Sequence, residues 1–319
     1  MDYGSQGSVV IGVGGNSLII AEDRQSIAHQ YEAVENTVSN IVDADQQGWN
    51  VVLTHGNGPQ VGFVLERSEI AAPEVITIPI DYAVADIQGA VGYMFSRAFD
   101  NEYCARGMDK SAVAVITRVI VDTTDTAFDN PSKPIGPFYD EAKAKKRAKK
   151  FGWSIKKDPD HGWRRVVASP KPLKIVELAQ ISNLIKKNHT VIACGGGGIP
   201  VSSGTNDQLE GVEVVIDKDF SSSLLASELD ADVLLLSTDV PNVAINFGKP
   251  NQVWLEQLSI EKAQSLLDAN QLNAGSMGPK VEAIMQFLKN GGKRGVITNP
   301  ENIAAGLAGV AGTQFIANH

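Results

Sequence analysis

The sequence predicts an α/β fold: an open, mainly parallel sheet sandwiched between helices, with a protruding subdomain inserted near its middle. Three observations carry that expectation. Short apolar runs alternate with segments of helical periodicity along most of the 319 residues. Glycine-rich turns fall where those runs end or where helices begin. One stretch, residues 122–172, interrupts the alternation with a different composition.

Residues 8–13 are an apolar run that reads as a buried strand ending in a glycine turn. Ser26 is placed to cap a helix, and Ile27, Tyr31, Val34, Val38, Ile41 and Val42 recur at a spacing that sets all six on one helical face. Gly48 closes that helix, residues 51–54 form the next strand, and His55-Gly56-Asn57-Gly58-Pro59 leads into another helix. Asp81 caps a further helix that ends near Gly107, after which residues 112–116 return as a strand. Beyond residue 172 the alternation resumes. Strands are expected at 190–194, 233–236, 294–298 and 314–316, and helices at 221–229, 259–269 and 279–289. Strands joined through helices pair in parallel, and a parallel sheet needs both faces covered.

In residues 122–172, Pro131, Pro134 and Pro137 fall close together, and Trp153 and Trp163 flank a polar turn. The basic run Lys143, Lys145, Lys146, Arg147, Lys149 and Lys150 has helical spacing and reads as a solvated face of an inserted subdomain. The tryptophans are expected to pack a unit too small for a large core of its own. The chain as a whole, 1–319, is read as a single domain carrying this insertion.

Composition narrows the function. With 43% hydrophobic and 20% charged residues the chain is that of a globular protein. A formal charge of -9 argues against broad nucleic-acid binding, which depends on clustered Lys and Arg. Cys104 and Cys194 belong to no paired spacing, fit a reducing cytoplasm, and read as packing residues. The apolar N-terminal stretch is broken by Gly12, Gly14, Gly15 and Asn16 and lacks a preceding basic segment, so no signal peptide is expected. No uncharged apolar run approaches the ~20 residues of a membrane span, so a soluble protein is expected.

Four glycine-rich turns sit at strand ends or helix starts: Gly14-Gly15-Asn16, Gly56-Asn57-Gly58, Gly195-Gly196-Gly197-Gly198 and Gly275-Ser276-Met277-Gly278. Without side chains, such turns let backbone N–H groups approach an anion, and a helix N-terminus adds favourable partial charge. Four of them at one sheet edge point to a polyphosphate. Two named phosphate motifs are excluded. Gly12-Val13-Gly14-Gly15-Asn16-Ser17 has Ser in place of the last glycine of the dinucleotide fingerprint, and no Gly-x-x-x-x-Gly-Lys-Ser/Thr segment exists. Cations stand where the backbone is restricted: Lys218 between Asp217 and Asp219, Lys280 after Pro279, and Lys133 in Lys133-Pro134-Ile135-Gly136-Pro137. Fixed cations suit the charge that spreads over a transferring phosphoryl group.

Those blocks, together with His55-Gly56-Asn57-Gly58-Pro59-Gln60-Val61-Gly62, Gly195-Gly196-Gly197-Gly198-Ile199-Pro200-Val201 and Gly275-Ser276-Met277-Gly278-Pro279-Lys280-Val281, run in order over nearly the whole chain. In them the sequence resembles the carbamate kinases of the amino-acid kinase superfamily. The resemblance implies an eight-stranded sheet, a subdomain over the active site and a cytoplasmic homodimer. It implies that Gly14, Gly15, Asn16, Gly56, Asn57 and Gly58 hold carbamate and the transferring phosphoryl group. Residues 190–319 would form the nucleotide site, through Gly196, Gly197, Asp217, Lys218, Met277, Gly278 and Lys280. Lys133, Lys218 and Lys280 would be catalytic, with Asp219 orienting the lysines. ATP or ADP would be the substrate, with a magnesium ion (Mg2+) bridging its phosphates and no side chain ligating the metal directly. The sequence departs from the family pattern near residues 243–245, where its first aromatic residue is Phe247, and at Ser221-Ser222-Ser223, which is more polar than expected.

Carbamate is already an anion, so its attack on phosphorus needs no general base. His55 is accordingly left out of the catalytic set. Two rival readings are a related kinase acting on a larger acceptor and a nucleotide-binding sensor without turnover. The first needs a pocket for a carbon chain; the second would not need Lys133, Lys218, Asp219 and Lys280 together.

Overall fold

The computed structural model describes residues 6–14, 18, 26–158, 161–272 and 277–316; Gly15, Asn16, Gly275 and Ser276, all singled out above, lie outside them. The first apolar run is β1 (Gly7–Val13). Helix α1 (Ile27–Gln46) is capped by Ser26, whose Oγ accepts the His29 N–H at 3.3 Å. It buries Val34, Val38, Ile41 and Val42, but Ile27 is 63% exposed and does not share the buried face expected for it. After β2 (Trp49–His55) the chain enters α2 (Gly58–Ala71) and then α3 (Ile80–Ala105). Pro79, not Asp81, occupies the cap of α3; Asp81 lies in the first turn, where its charge favours the helix N-terminus.

The next strands are short: β3 (Ala112–Ala114), two residues shorter than expected, and β4 (Arg118–Val121). Residues of the insertion then form β5 (Lys133–Tyr139), α4 (Glu141–Phe151), β6 (Ser154–Asp158) and β7 (Gly162–Val167). The chain returns through β8 (Pro172–Ile175), α5 (Leu178–Lys186), β9 (Thr190–Ile192), β10 (Ile199–Ser203) and β11 (Leu209–Gly211). Helix α6 (Lys218–Glu228) precedes β12 (Val233–Ser237) and the hairpin of β13 (Val243–Ile245) with β14 (Val253–Leu255). β15 (Gln257–Ser259), α7 (Ile260–Asp268), α8 (Met277–Lys289), β16 (Arg294–Thr298), α9 (Ile303–Leu307) and β17 (Thr313–Ile316) complete the described chain.

The main sheet has eight strands in the order β15-β17-β16-β12-β1-β2-β9-β3. Neighbours pair in parallel except β16 with β17, as the alternation of strands and helices predicts. Strand alternation splits the core between two faces. Val9, Ile11, Val51, Leu53, Val233 and Leu235 join α1 and α3 on one side, while Val10, Val52, Leu234 and Leu236 join α6 and α8 on the other. A second sheet, β11-β10-β4-β8, and a third, β5-β7-β6, stand outside it.

The β5-β7-β6 sheet is antiparallel and has α4 as its helix. Trp153 packs against Tyr139 and Phe151 there. Cys194 is buried, whereas Cys104 is exposed on α3, so only Cys194 acts in packing. Among the described residues no helix is long and apolar enough to cross a membrane.

Candidate active site

In this topology β1 is flanked by β2, to which the chain passes through α1, and on the other side by β12, which it reaches much later through α6. In sheets of this kind the ligand crevice opens at the carboxyl ends of the strands beside such a switch point. A helix that precedes a parallel strand must run back along the sheet, so the N-termini of α6 and α8, which lead into β12 and β16, lie over that carboxyl edge. Helix α2 starts there too, directly after β2.

The charged residues singled out from the sequence come together at this edge. Lys218 Nζ donates to Asp219 Oδ1 at 2.6 Å, and Lys280 Nζ donates to Asp219 Oδ2 at 3.0 Å. The Asp219 carboxylate thus bridges two ammonium groups from different helices, and all three residues are buried. Asp217 caps α6, accepting the Asp219 N–H on Oδ1 at 2.9 Å, while its Oδ2 accepts from Lys133 Nζ at 2.6 Å. Lys133 begins β5 and so reaches in from the inserted segment.

Burial would raise the Asp219 carboxyl, but the two adjacent lysines and their hydrogen bonds outweigh it and hold the group well below the usual carboxylate range. Lys218 is shifted down, first by burial and then by repulsion from Lys280, against the pull of Asp219. For Lys280 burial also acts downward, but Asp219 more than compensates and the ammonium is held above its ordinary value. The trio Lys218, Asp219 and Lys280 carries a net positive charge when ionised, and each ammonium retains donors beyond the one given to Asp219.

The glycine loops surround this cluster with backbone. Gly196, Gly197 and Gly198 all have positive φ, which glycine adopts with little strain, and Cys194 before them is held at φ 50. A Cβ on Gly196 would run into the Asn57 side-chain amide, and one on Gly195 into the His55 ring, so the third glycine loop lies against the second. Asn57 is buried and its Nδ2 has no hydrogen-bond partner. Gly56 donates its N–H to Val13 O at 3.1 Å, joining the second loop to the end of β1, next to Gly14. Gly58 is the first residue of α2, and Met277 and Gly278 open α8 ahead of Lys280.

His55 is fully enclosed, stacks on Phe95 and contacts Gly56 O through Nδ1. Burial, with a further push from Lys218, lowers its pKa to about 4, so the ring is neutral near pH 7. The polar Ser221-Ser222-Ser223 departure has a structural use: Ser221 Oγ donates to Gly197 O at 2.6 Å, and Ser222 Oγ donates to Lys218 O at 2.7 Å. Phe247 lies in the turn after β13, 58% exposed and edge-on to Trp254.

Sequence reasoning missed Gln88. From the middle of α3 its Nε2 donates to Gly195 O at 2.9 Å and to Thr117 O at 3.0 Å, while its Oε1 accepts the Thr117 N–H at 2.8 Å. A polar residue on the apolar stripe of a long helix was the available signal.

The amino acid kinase family matches residues 7–299 of the chain. The chain is similar to the carbamate kinase of Pyrococcus horikoshii, 44% identical over 308 residues that cover 96% of this chain and 98% of the relative. It is likewise similar to the carbamate kinase of Clostridium perfringens, 41% identical with 97% and 99% covered. The solved structure of carbamate kinase from Giardia lamblia bound to AMP-PNP superposes over 100% of both chains with a TM-score of 0.91 at 40% identity. With the family matched from 7 to 299 and relatives of this identity spanning nearly their full lengths, the chain belongs to the amino acid kinase family and, within it, to the carbamate kinases.

Proposed function

We propose that the protein catalyses reversible phosphoryl transfer between carbamoyl phosphate and ADP, giving ATP and carbamate, which breaks down to ammonia and carbon dioxide. The observation that carries this reading is the meeting of Lys133, Lys218 and Lys280 around Asp217 and Asp219, beside loops of glycine and Asn57. Kinship with carbamate kinases, one of them solved with AMP-PNP, supports the choice of substrates.

In this mechanism Gly14, Gly56, Asn57 and Gly58, with Gly15 and Asn16, hold the carbamate and phosphoryl groups, Gly56 by shaping the loop, since its own N–H is given to Val13 O. The unpaired Asn57 Nδ2 is a donor ready for an anion. Lys218 and Lys280 bind the oxygens of the transferring group, and Asp219 keeps both side chains aimed, holding the Lys280 ammonium above its ordinary value. Gly196, Gly197, Asp217, Met277 and Gly278 line the nucleotide side. Lys133 exchanges Asp217 for a phosphate oxygen as the β5-β7-β6 subdomain acts as a lid. A carbamate oxygen has no proton to lose, so neutral His55 takes no part as a base. The work is alignment of two anions and neutralisation of their repulsion.

Asp217 and Asp219 are both engaged by lysines, so a magnesium ion would be held by the nucleotide phosphates and would supply further neutralisation there. A cytoplasmic homodimer completes the proposal. The test is a coupled assay for ATP from carbamoyl phosphate and ADP, with and without magnesium, run beside ATP-dependent phosphorylation of amino acids. ATP formation from carbamoyl phosphate is expected. Turnover confined to amino-acid acceptors, or nucleotide binding without turnover, would overturn the proposal.

A further inference from the structure

We infer that Glu69 is a positioning residue for phosphoryl transfer: from α2 it fixes the β5-β7-β6 sheet so that Lys133 is delivered to the site. The inference rests on the reading of Lys133 given above. Glu69 stands on the same helix that opens at Asn57 and Gly58, and Gly62, Glu66 and Glu69 recur along one face of it. Every one of those three meets the inserted segment. A Cβ on Gly62 would overlap the backbone N and Cα of Gly136, so helix and strand touch main chain to main chain. Gly136 itself has φ +71 and its carbonyl accepts from Arg164 Nε at 2.9 Å, which pins the strand three residues after Lys133.

Glu69 gathers donors from three places in the subdomain. Its Oε1 accepts from Trp153 Nε1 at 2.9 Å and from Arg165 Nη1 at 3.2 Å, and its Oε2 from Arg147 Nη2 at 3.1 Å. Arg147 Nη1 also pairs with Glu66 at 3.1 Å. Arg165 is the register partner of Ile135 on β5, so the Glu69 contact is transmitted to the strand that carries Lys133. The Glu69 side chain is 10% exposed, so its removal leaves the arginine charges facing it short of a partner away from water. By contrast, Lys133 meets α6 through its partly exposed ammonium, which donates to the cap residue Asp217. One end of the subdomain is bolted to α2, which carries the second glycine loop, and the other end is an exchangeable ion pair.

A double-mutant cycle on the intact chain tests this. Glu69→Ala is expected to lower kcat for ATP formation about tenfold or more, with KM for ADP changed less than about threefold. In a Lys133→Ala background the same substitution is expected to change kcat by less than about twofold, because the residue it positions is gone. A general structural role would lower kcat equally in both backgrounds, and that additive outcome would sink the inference, as would an unaltered kcat in Glu69→Ala. Should Glu69→Ala fail to fold, the cycle is run with Glu69→Gln, which keeps an acceptor for Trp153 and removes the charge facing both arginines. A loss on the order of fivefold that vanishes beside Lys133→Ala supports the inference, and an additive loss overturns it. Normal turnover in Lys133→Ala alone would remove the reading of Lys133 and this inference with it, an outcome distinct from additivity.

Discussion

The two walls of the candidate site handle anions by opposite means. On the β1 and β2 side, the described residues Gly14, Gly56, Asn57 and Gly58 are all neutral. His55, the described residue there that could become a cation, is kept uncharged by burial. On the α6 and α8 side, two buried lysines share one aspartate, a costly arrangement in any protein interior. A small monoanion needs direction more than charge, and amides supply direction without trapping it. A polyphosphate passing a phosphoryl group needs fixed positive charge, and the protein concentrates that charge where the nucleotide is proposed to bind.

That contrast can be broken most directly on the charged wall. Lys218→Ala and Lys280→Ala are each expected to lower kcat roughly a hundredfold, or about 3 kcal/mol, while circular dichroism shows a folded chain. Near-normal rates in both would mean that the buried charge serves packing alone. A second prediction sharpens the neutral wall through pH. His55 titrates near 6.5 unfolded and at about 4 folded, so between these values the unfolded chain takes up a proton that the folded chain refuses. Stability should therefore fall as pH drops through that window, by at most about 3 kcal/mol, and level off below it. Denaturant titrations of wild type and His55→Gln would check this: the wild type should show the steeper decline, and parallel curves would refute the assignment. The smallest expected effect is that of Asn57→Ala. Losing one neutral donor should reduce kcat/KM for carbamoyl phosphate about tenfold, with KM for ADP little changed. An equal rise in both KM values would erase the distinction between the walls.

Much of the charged wall was legible in the sequence because its chemistry is local. Asp217, Lys218 and Asp219 are consecutive, and the cap that orders them is a short-range hydrogen bond. The glycine run likewise announces in its composition the positive φ values of Gly196, Gly197 and Gly198. The residues that escaped notice act across long separations. Gln88 and Gly195 are 107 positions apart, and Glu69 and Arg165 are 96 apart, so no window of sequence contains both members of either pair. The four-stranded sheet of β4, β8, β10 and β11 escaped for a related reason: its strands are short, and β4 at its centre pairs with the distant β8 and β10.

By itself, then, the order of residues determined the alternation of strands and helices, the turns that end them and the supply of cations for an anion site. These follow from period, backbone freedom and charge, which neighbours along the chain decide. Tertiary structure alone decided that Asp219 lies between Lys218 and Lys280, that Lys133 reaches Asp217, and that α2 carries both a glycine loop and the anchor of the inserted sheet. Those contacts join segments that meet only when both faces of the main sheet are buried, and their geometry is set by packing.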